Sequence, residues 1–519
     1  MPQSPSRRRL MTKAGAALVG ASLFPAAAGQ PVPSRPNLIL FFPDEMRADA
    51  LGCYGNPVCR TPNFDRLAQE GARFENCHVQ YSVCGASRCS LLTGWPTSVR
   101  GHRSLYYFLR PEEPNLFRYL KRAGYDVFWF GKNDALAQQS FPDSVTEWRD
   151  APFSLPPGAK PLTPGSTTML FSDGGDRRET SDYKLLQMAF EVLERRESER
   201  PFCIFLPTFQ PHPPYSAPDG FGAMYKAKDL PPLSAPNLAK KPSFHAAIRR
   251  RYGLDKVSDA DLRQVRATYY GQVSYTDWLL GELLEAMERT GRAADTALFV
   301  GSDHGDYAGD YGLIEKWPSG LESCLTHVPL MGRVPGASPG IVGRGMNELY
   351  DIMATFLDLA GVRATHTHFA RSLLPQMRGG PQDMDRAAFS EGGYNVYEPQ
   401  AFEPKLGGLY GPKTELQNDE PDLVRRCASV RTTRHTFIAR PNGQSELYDR
   451  IADPMETNNL IDARAAQGVR QELQIRLMNW YINTTGVPDA TKDPRGLPPY
   501  YPTEPKPDPA DALAKILDR

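Results

Sequence analysis

Unbroken runs of apolar residues recur along the chain at Asn37-Leu38-Ile39-Leu40-Phe41-Phe42, Asp126 to Phe130, Phe202 to Leu206 and Thr296 to Val300. None alternates apolar with polar, so each predicts a strand buried on both faces of a mostly parallel sheet. Between them the apolar positions fall at helical spacing. Thr61-Pro62-Asn63-Phe64-Asp65-Arg66-Leu67 offers a capping Thr, a Pro at the first helical position and i, i+3 apolar spacing. Further helices are expected at about 113–122, closing at Gly124, at 182–196, at 263–289 and at 348–359, ending at Gly361. Strands alternating with helices define an α/β chain in which helices sandwich a central sheet. Beyond about residue 386 the pattern changes. Short strands at 428–431, 435–440 and 446–449, then a helix at 465–482, describe a smaller α+β subdomain with an antiparallel sheet.

With 519 residues the chain has room for two or more domains. Sixty basic residues balance sixty acidic ones, which argues against nucleic acid or any polyanion held by bulk charge. The 48 prolines and 43 glycines suit a loop-rich enzyme, with a long surface loop expected from Pro213 to Pro242. At the N-terminus, Ser6-Arg7-Arg8-Arg9-Leu10-Met11 precedes an apolar stretch and Ala26-Ala27-Ala28. Residues 1–28 therefore read as a twin-arginine-like export signal, too short to span a membrane, and predict a periplasmic or extracellular protein. An uncleaved anchor or a tail is the other reading. Eight cysteines are present, and Cys53 and Cys59 are close enough in sequence to bridge.

The most specific stretch is Val83-Cys84-Gly85-Ala86-Ser87-Arg88-Cys89-Ser90-Leu91-Leu92-Thr93-Gly94. Its Gly-ended apolar run predicts a short helix with residue 84 at its N-terminus, where free N–H groups and the helix dipole favour an anion. A structural cysteine, or a Cys84–Cys89 metal or redox pair, also fits the two cysteines, but accounts for neither Ser87-Arg88 nor Leu92-Thr93-Gly94. The stretch resembles the signature of the type I sulfatases of the alkaline phosphatase superfamily, with Ala86 where Pro is commoner. That resemblance implies that a formylglycine-generating maturation enzyme oxidises Cys84 to formylglycine, whose hydrate is the nucleophile, and that Arg88 holds the diol.

Other stretches continue the resemblance. Pro43-Asp44-Glu45-Met46-Arg47 follows the first strand, where open α/β sheets place ligands. In isolation it would be a solvated turn. It is similar to the sulfatase opening that delivers two Asp to a divalent cation, with Glu45 in the second place. Gly301-Ser302-Asp303-His304-Gly305-Asp306 resembles the second cation motif. The resemblance thus implies a metal site of Asp44, Glu45, residue 84, Asp303 and His304, whose oxygen-rich ligands suit calcium. It also casts Asp303 as the proton acceptor.

Gly131-Lys132-Asn133-Asp134 is similar to the family's Gly-Lys-x-His, which assigns Lys132 to the sulfate and leaves Asp134 either a base or part of a turn. His212 in Pro211-His212-Pro213-Pro214-Tyr215 and Lys316 after Gly312-Leu313-Ile314-Glu315 match loops that contact the sulfate and the ester oxygen. His102 in Gly101-His102-Arg103 is a substrate contact or a structural residue. The family implies an alkaline-phosphatase-like fold, a catalytic domain at 35–385 and a C-terminal subdomain at 386–519. The implied activity is hydrolysis of a sulfate ester, on a small molecule or a saccharide such as a uronic-acid glycan. A phosphodiester or phosphonate monoester hydrolase of the same superfamily, or a non-catalytic sulfated-glycan binder, are the alternatives.

Overall fold

The structure is a computed structural model that describes residues 35–152, 160–161, 170–171, 175–195, 198–398, 402–407 and 410–487. The segment read as an export signal lies outside these residues. Among the described residues no helix is long and apolar enough to cross a membrane, and the eight cysteines are free thiols, Cys53 and Cys59 included.

In chain order the strands are β1 (Asn37–Phe41), β2 (Ala72–His78), β3 (Asp126–Phe130), β4 (Glu147–Arg149), β5 (Lys160–Pro161), β6 (Leu170–Phe171), β7 (Phe202–Leu206), β8 (Thr296–Gly301), β9 (Leu330–Arg333), β10 (Ile341–Glu348), β11 (Ala388–Gly392), β12 (Cys427–Arg431), β13 (His435–Ala439) and β14 (Glu446–Asp449). An eight-stranded sheet runs β10-β2-β9-β8-β1-β7-β3-β4. It is parallel except for β9, which pairs antiparallel with both neighbours.

The unbroken apolar runs are explained by the two faces. Along β1, Ile39 and Phe41 pack in the core containing Val273, Leu280 and Leu284 of the helix Asp259–Arg289. Leu38 and Leu40 point the other way, into the core of Phe117, Leu120, Ile352 and Phe356. β7 and β8 divide likewise, Ile204 and Val300 to one side, Phe205 and Phe299 to the other. Period-two alternation between two apolar layers leaves polar residues only at the strand starts, as Asn37 and Thr296, and each fully buried apolar side chain contributes about 2 kcal/mol relative to exposure.

Some boundaries differ from expectation for identifiable reasons. The helix foreseen from 113 is Leu116–Arg122, because Asn115 caps it by accepting from the Arg118 N–H at 2.9 Å. The longest helix begins at Asp259 rather than 263, because Ser258 caps a polar first turn. Residues up to 348 belong to β10, so the next helix is Asp351–Leu359. β2 and β10 were not foreseen, since Arg73, Glu75 and Asn76 interrupt the one and glycines the other.

Thr61 does not cap the helix Pro62–Glu70. Its hydroxyl accepts from the Gly52 N–H. Asp277, from the longest helix, substitutes by accepting from the N–H groups of Asn63 and Phe64 at 2.9 and 2.8 Å.

The second sheet, β11-β12-β13-β14, is antiparallel. The helix Gln467–Thr484 packs Leu473, Leu477 and Trp480 onto Val430, Phe437 and Leu447. Because β1, β3, β7 and β8 run parallel, the loops that follow them emerge at one edge of the main sheet.

Candidate active site

Residue 84 opens the helix Cys84–Thr93, which follows extended Val83 and ends at Gly94 with φ 67°. That left-handed cap is the conformation a glycine supplies at least cost. Backbone contacts bind the loop after β1 to its neighbours. The Asp44 N–H donates to the Thr208 carbonyl after β7 at 3.2 Å. The N–H groups of Glu45 and Met46 donate to Asp303 Oδ1 at 3.1 Å and Ser302 Oγ at 2.9 Å after β8. Gly305 lies so close to the Cys324 carbonyl that a Cβ would sit 2.0 Å from its oxygen. Only glycine permits that approach.

Asp44, Cys84, Asp303 and His304 are buried together, each offering a ligand atom within 4.8 Å of the others. Cys84 Sγ lies 3.2 Å from His304 Nε2 and 3.7 Å from Asp44 Oδ1. His304 Nδ1 faces the Gly305 carbonyl at 2.9 Å, which leaves the Nε2 lone pair for the cluster. Arg88, one turn on from residue 84, joins the carboxylates from behind. Its Nε donates to Asp303 Oδ2 at 2.9 Å and its Nη2 to Asp44 Oδ2 at 3.0 Å. The carboxylate of Asp303 is fixed from both sides, since its Oδ1 also accepts from the N–H groups of Glu45 and His304. Asp44 Oδ1 lies 3.7 Å from Cys84 Sγ, and Asp303 belongs to the same four-residue cluster.

Two ammonium groups flank the cluster. Lys132 reaches Asp44 and lies 2.8 Å from Asp134 Oδ2. Burial opposes its charge, but Asp134 and Asp44 raise its pKa well above the usual lysine value. Asp44 in turn is pushed up by burial, yet Lys132 and Arg88 hold its carboxyl well below the usual range. Lys316 donates to Glu45 Oε2 at 2.7 Å and to His212 Nε2 at 2.8 Å. Burial likewise opposes its charge, and Glu45 raises it. Burial and then Lys316 hold His212 well below the ordinary histidine pKa.

Cys84, Arg88, Lys132, His212, Lys316, Asp44, Asp303 and His304 therefore converge. Glu45 is divided. Its φ of 66° is left-handed, a costly conformation for a residue with a Cβ, and it turns the side chain toward Lys316. It lies outside the four-residue cluster but groups with Asp44 and His212, and its Oε1 is buried without a hydrogen-bond partner.

Asp134 Oδ2 pairs with Lys132 at 2.8 Å. Both ring nitrogens of His102 have protein partners, Nδ1 facing the Tyr107 carbonyl at 2.6 Å and Nε2 facing Glu113 at 3.1 Å, as the structural reading expects. Tyr410 was missed. Its hydroxyl lies 3.0 Å from His212 Nε2, across 198 residues, and no local pattern marks it.

A helix N-terminus suited to an anion, beside a carboxylate–imidazole cluster that could hold a cation and two lysines, one buried and one half-buried, is the arrangement of a hydrolase of anionic esters on the alkaline phosphatase plan. The chain belongs to the sulfatase family, whose model matches residues 36–362, and it is a sulfuric ester hydrolase. It is 28% identical to the multifunctional alkaline phosphatase superfamily protein PehA of Trinickia caryophylli, over 87% of this chain and 96% of that protein. It is 25% identical to an ulvan-active sulfatase of Formosa agariphila, covering 86% and 81%. The phosphonate monoester hydrolase of Agrobacterium radiobacter shares the fold with a TM-score of 0.68 at 23% identity, over 87% and 96% of the two chains.

Proposed function

We propose that the protein removes O-sulfate from sulfated saccharides, using residue 84 as formylglycine and one calcium ion. The observation that carries this reading is the position of residue 84, at the helix start and in contact with both Asp44 and His304, with Arg88 bracing the carboxylates. Cys84 Sγ stands where one hydroxyl of a formylglycine hydrate would lie. Asp44, Asp303, His304 and residue 84 would hold the cation, joined by the unpartnered Oε1 of Glu45. A predominantly oxygen-donor set suits calcium. The cation would supply positive charge that favours an ionised hydroxyl at residue 84. The hydrate would supply one oxygen to attack sulfur and a second to release sulfate.

The chain's own groups do the remaining work. Asp44 Oδ1 faces residue 84 and accepts the proton of the attacking hydroxyl. Arg88 orients Asp44 and Asp303 by donating to one oxygen of each. Lys132 and Lys316 neutralise the sulfate oxygens, and Lys316 with His212 stands at the ester oxygen to protonate the leaving alcohol. The ulvan-active relative supports a sulfated polysaccharide, with a uronic-acid glycan as the first candidate to assay. The maturation enzyme follows from the Cys84 signature, and export from residues 1–28.

Peptide mass spectrometry over Tyr81 to Arg88 tests this reading. Formylglycine in the active protein is expected, and full activity with an unmodified thiol would overturn it. The relationships to PehA and to the phosphonate monoester hydrolase favour a second reading, in which phosphonate monoesters or phosphodiesters are the better substrates. Parallel kcat/KM values for aryl sulfate and aryl phosphonate esters decide between them.

A further inference from the structure

The lone pair of His212 has more donors than it can serve. Nδ1 of the ring faces the Pro213 carbonyl at 2.5 Å, so Nε2 carries the lone pair. Two donors converge on it, Lys316 Nζ at 2.8 Å and Tyr410 Oη at 3.0 Å. One sp² lone pair makes one strong hydrogen bond, so either donor alone would suffice. Lys316 has a second anchor in Glu45.

Tyr410 is held in place for this contact. Its ring centroid lies 5.8 Å from the Lys316 ammonium and 5.6 Å from that of Lys413, and it meets the His212 ring edge-on at 6.3 Å. It immediately precedes the helix Gly411–Asp419, beyond the region matched by the family model.

We propose that Tyr410 is a positioning residue for the reaction. It takes over the His212 lone pair when Lys316 turns an N–H toward the ester oxygen, and so fixes the His212 ring beside the leaving group. Without it, Lys316 would have to abandon a buried acceptor in order to reach the substrate. The C-terminal part of the chain thereby completes a site whose other members precede residue 317. This inference rests on the reading of Lys316 and His212 as the groups at the ester oxygen.

The test is Tyr410→Phe, which keeps the ring and removes only the hydroxyl, assayed with 4-nitrophenyl sulfate and with an alkyl sulfate. A nitrophenolate needs little help to leave, whereas an alkoxide needs the Lys316 proton. The variant is expected to keep kcat for 4-nitrophenyl sulfate within about twofold, to lose about tenfold or more in kcat for the alkyl sulfate, and to melt with the wild type. Equal losses on both esters, or no loss on either, would overturn the proposal. Lys316→Ala and His212→Ala are run alongside. If these show no leaving-group dependence, the reading of the pair itself fails. If they show it and Tyr410→Phe does not, only the role of Tyr410 fails.

Discussion

Arg88 bridges Asp44 and Asp303, the carboxylates that follow β1 and β8, through Nη2 at 3.0 Å and Nε at 2.9 Å. The guanidinium fork occupies one oxygen of each carboxylate and leaves the others for the front of the site. A lysine has the charge but not the fork. Arg88→Lys is therefore expected to lower calcium affinity and kcat together, by roughly 10- to 100-fold, as when a group orienting metal ligands is lost. Calorimetric titration of calcium alongside steady-state rates checks this. Unchanged calcium affinity would mean that the fork does not orient the ligands.

The structure redirects the expectation for Asp134. A base acting on residue 84 has to face it, but Asp134 Oδ2 lies 2.8 Å from Lys132, and Lys132 leans on Asp44. Asp134→Asn should displace Lys132 from the sulfate, raising KM by about tenfold, or ~1.4 kcal/mol, with no burst of alcohol. Pre-steady-state kinetics with an aryl sulfate gives the answer. A burst followed by slow turnover would return Asp134 to the role of base.

Asp277 caps a helix to which it does not belong. Asp277→Ala leaves the buried N–H of Phe64 and the N–H of Asn63 without their acceptor. A loss of about 2–4 kcal/mol in unfolding free energy is expected, with kcat per folded molecule unchanged. Urea denaturation followed by fluorescence measures it, and a shift below about 0.5 kcal/mol would show that the cap is dispensable.

Two histidines make the fold acid-sensitive. Burial, then Arg450, pushes His327 down to about 4, and burial pushes His366 down to about 4 as well. The unfolded chain protonates them near 6.5, so it gains protons first as pH falls. Their contribution is complete above about pH 6.5 and is lost progressively toward pH 4. His366 Nε2 faces the Thr93 carbonyl at the far end of the helix that begins with residue 84. Melting temperatures between pH 7.5 and 4.5 should fall more steeply for the wild type than for a His327→Gln, His366→Gln double variant. Parallel curves would assign the acid sensitivity to other groups.

The sequence by itself determined the strands that are apolar on both sides, because burial between two helix layers confines the polar residues of β1, β3 and β8 to their first positions and leaves none in β7. It also determined which chemistry ends those strands, since Asp44, Lys132, His212 and Asp303 follow them within a few residues in stretches that resemble a known family. β2 and β10 were not legible, because their polar positions and glycines break the periodicity and pairing within the sheet, with each other and through β9, secures them.

The site divided along the same line. Helix start and spacing placed residue 84 and Arg88, but which oxygen of Asp303 is free, whether Glu45 meets a cation or Lys316, and what holds His102 depend on partners tens to hundreds of residues away. Tyr410 is the extreme case. Nothing around it in the chain distinguishes it from an ordinary surface tyrosine, and only folding brings its hydroxyl to His212, because hydrogen bonds are set by distance in space and not by distance along the chain.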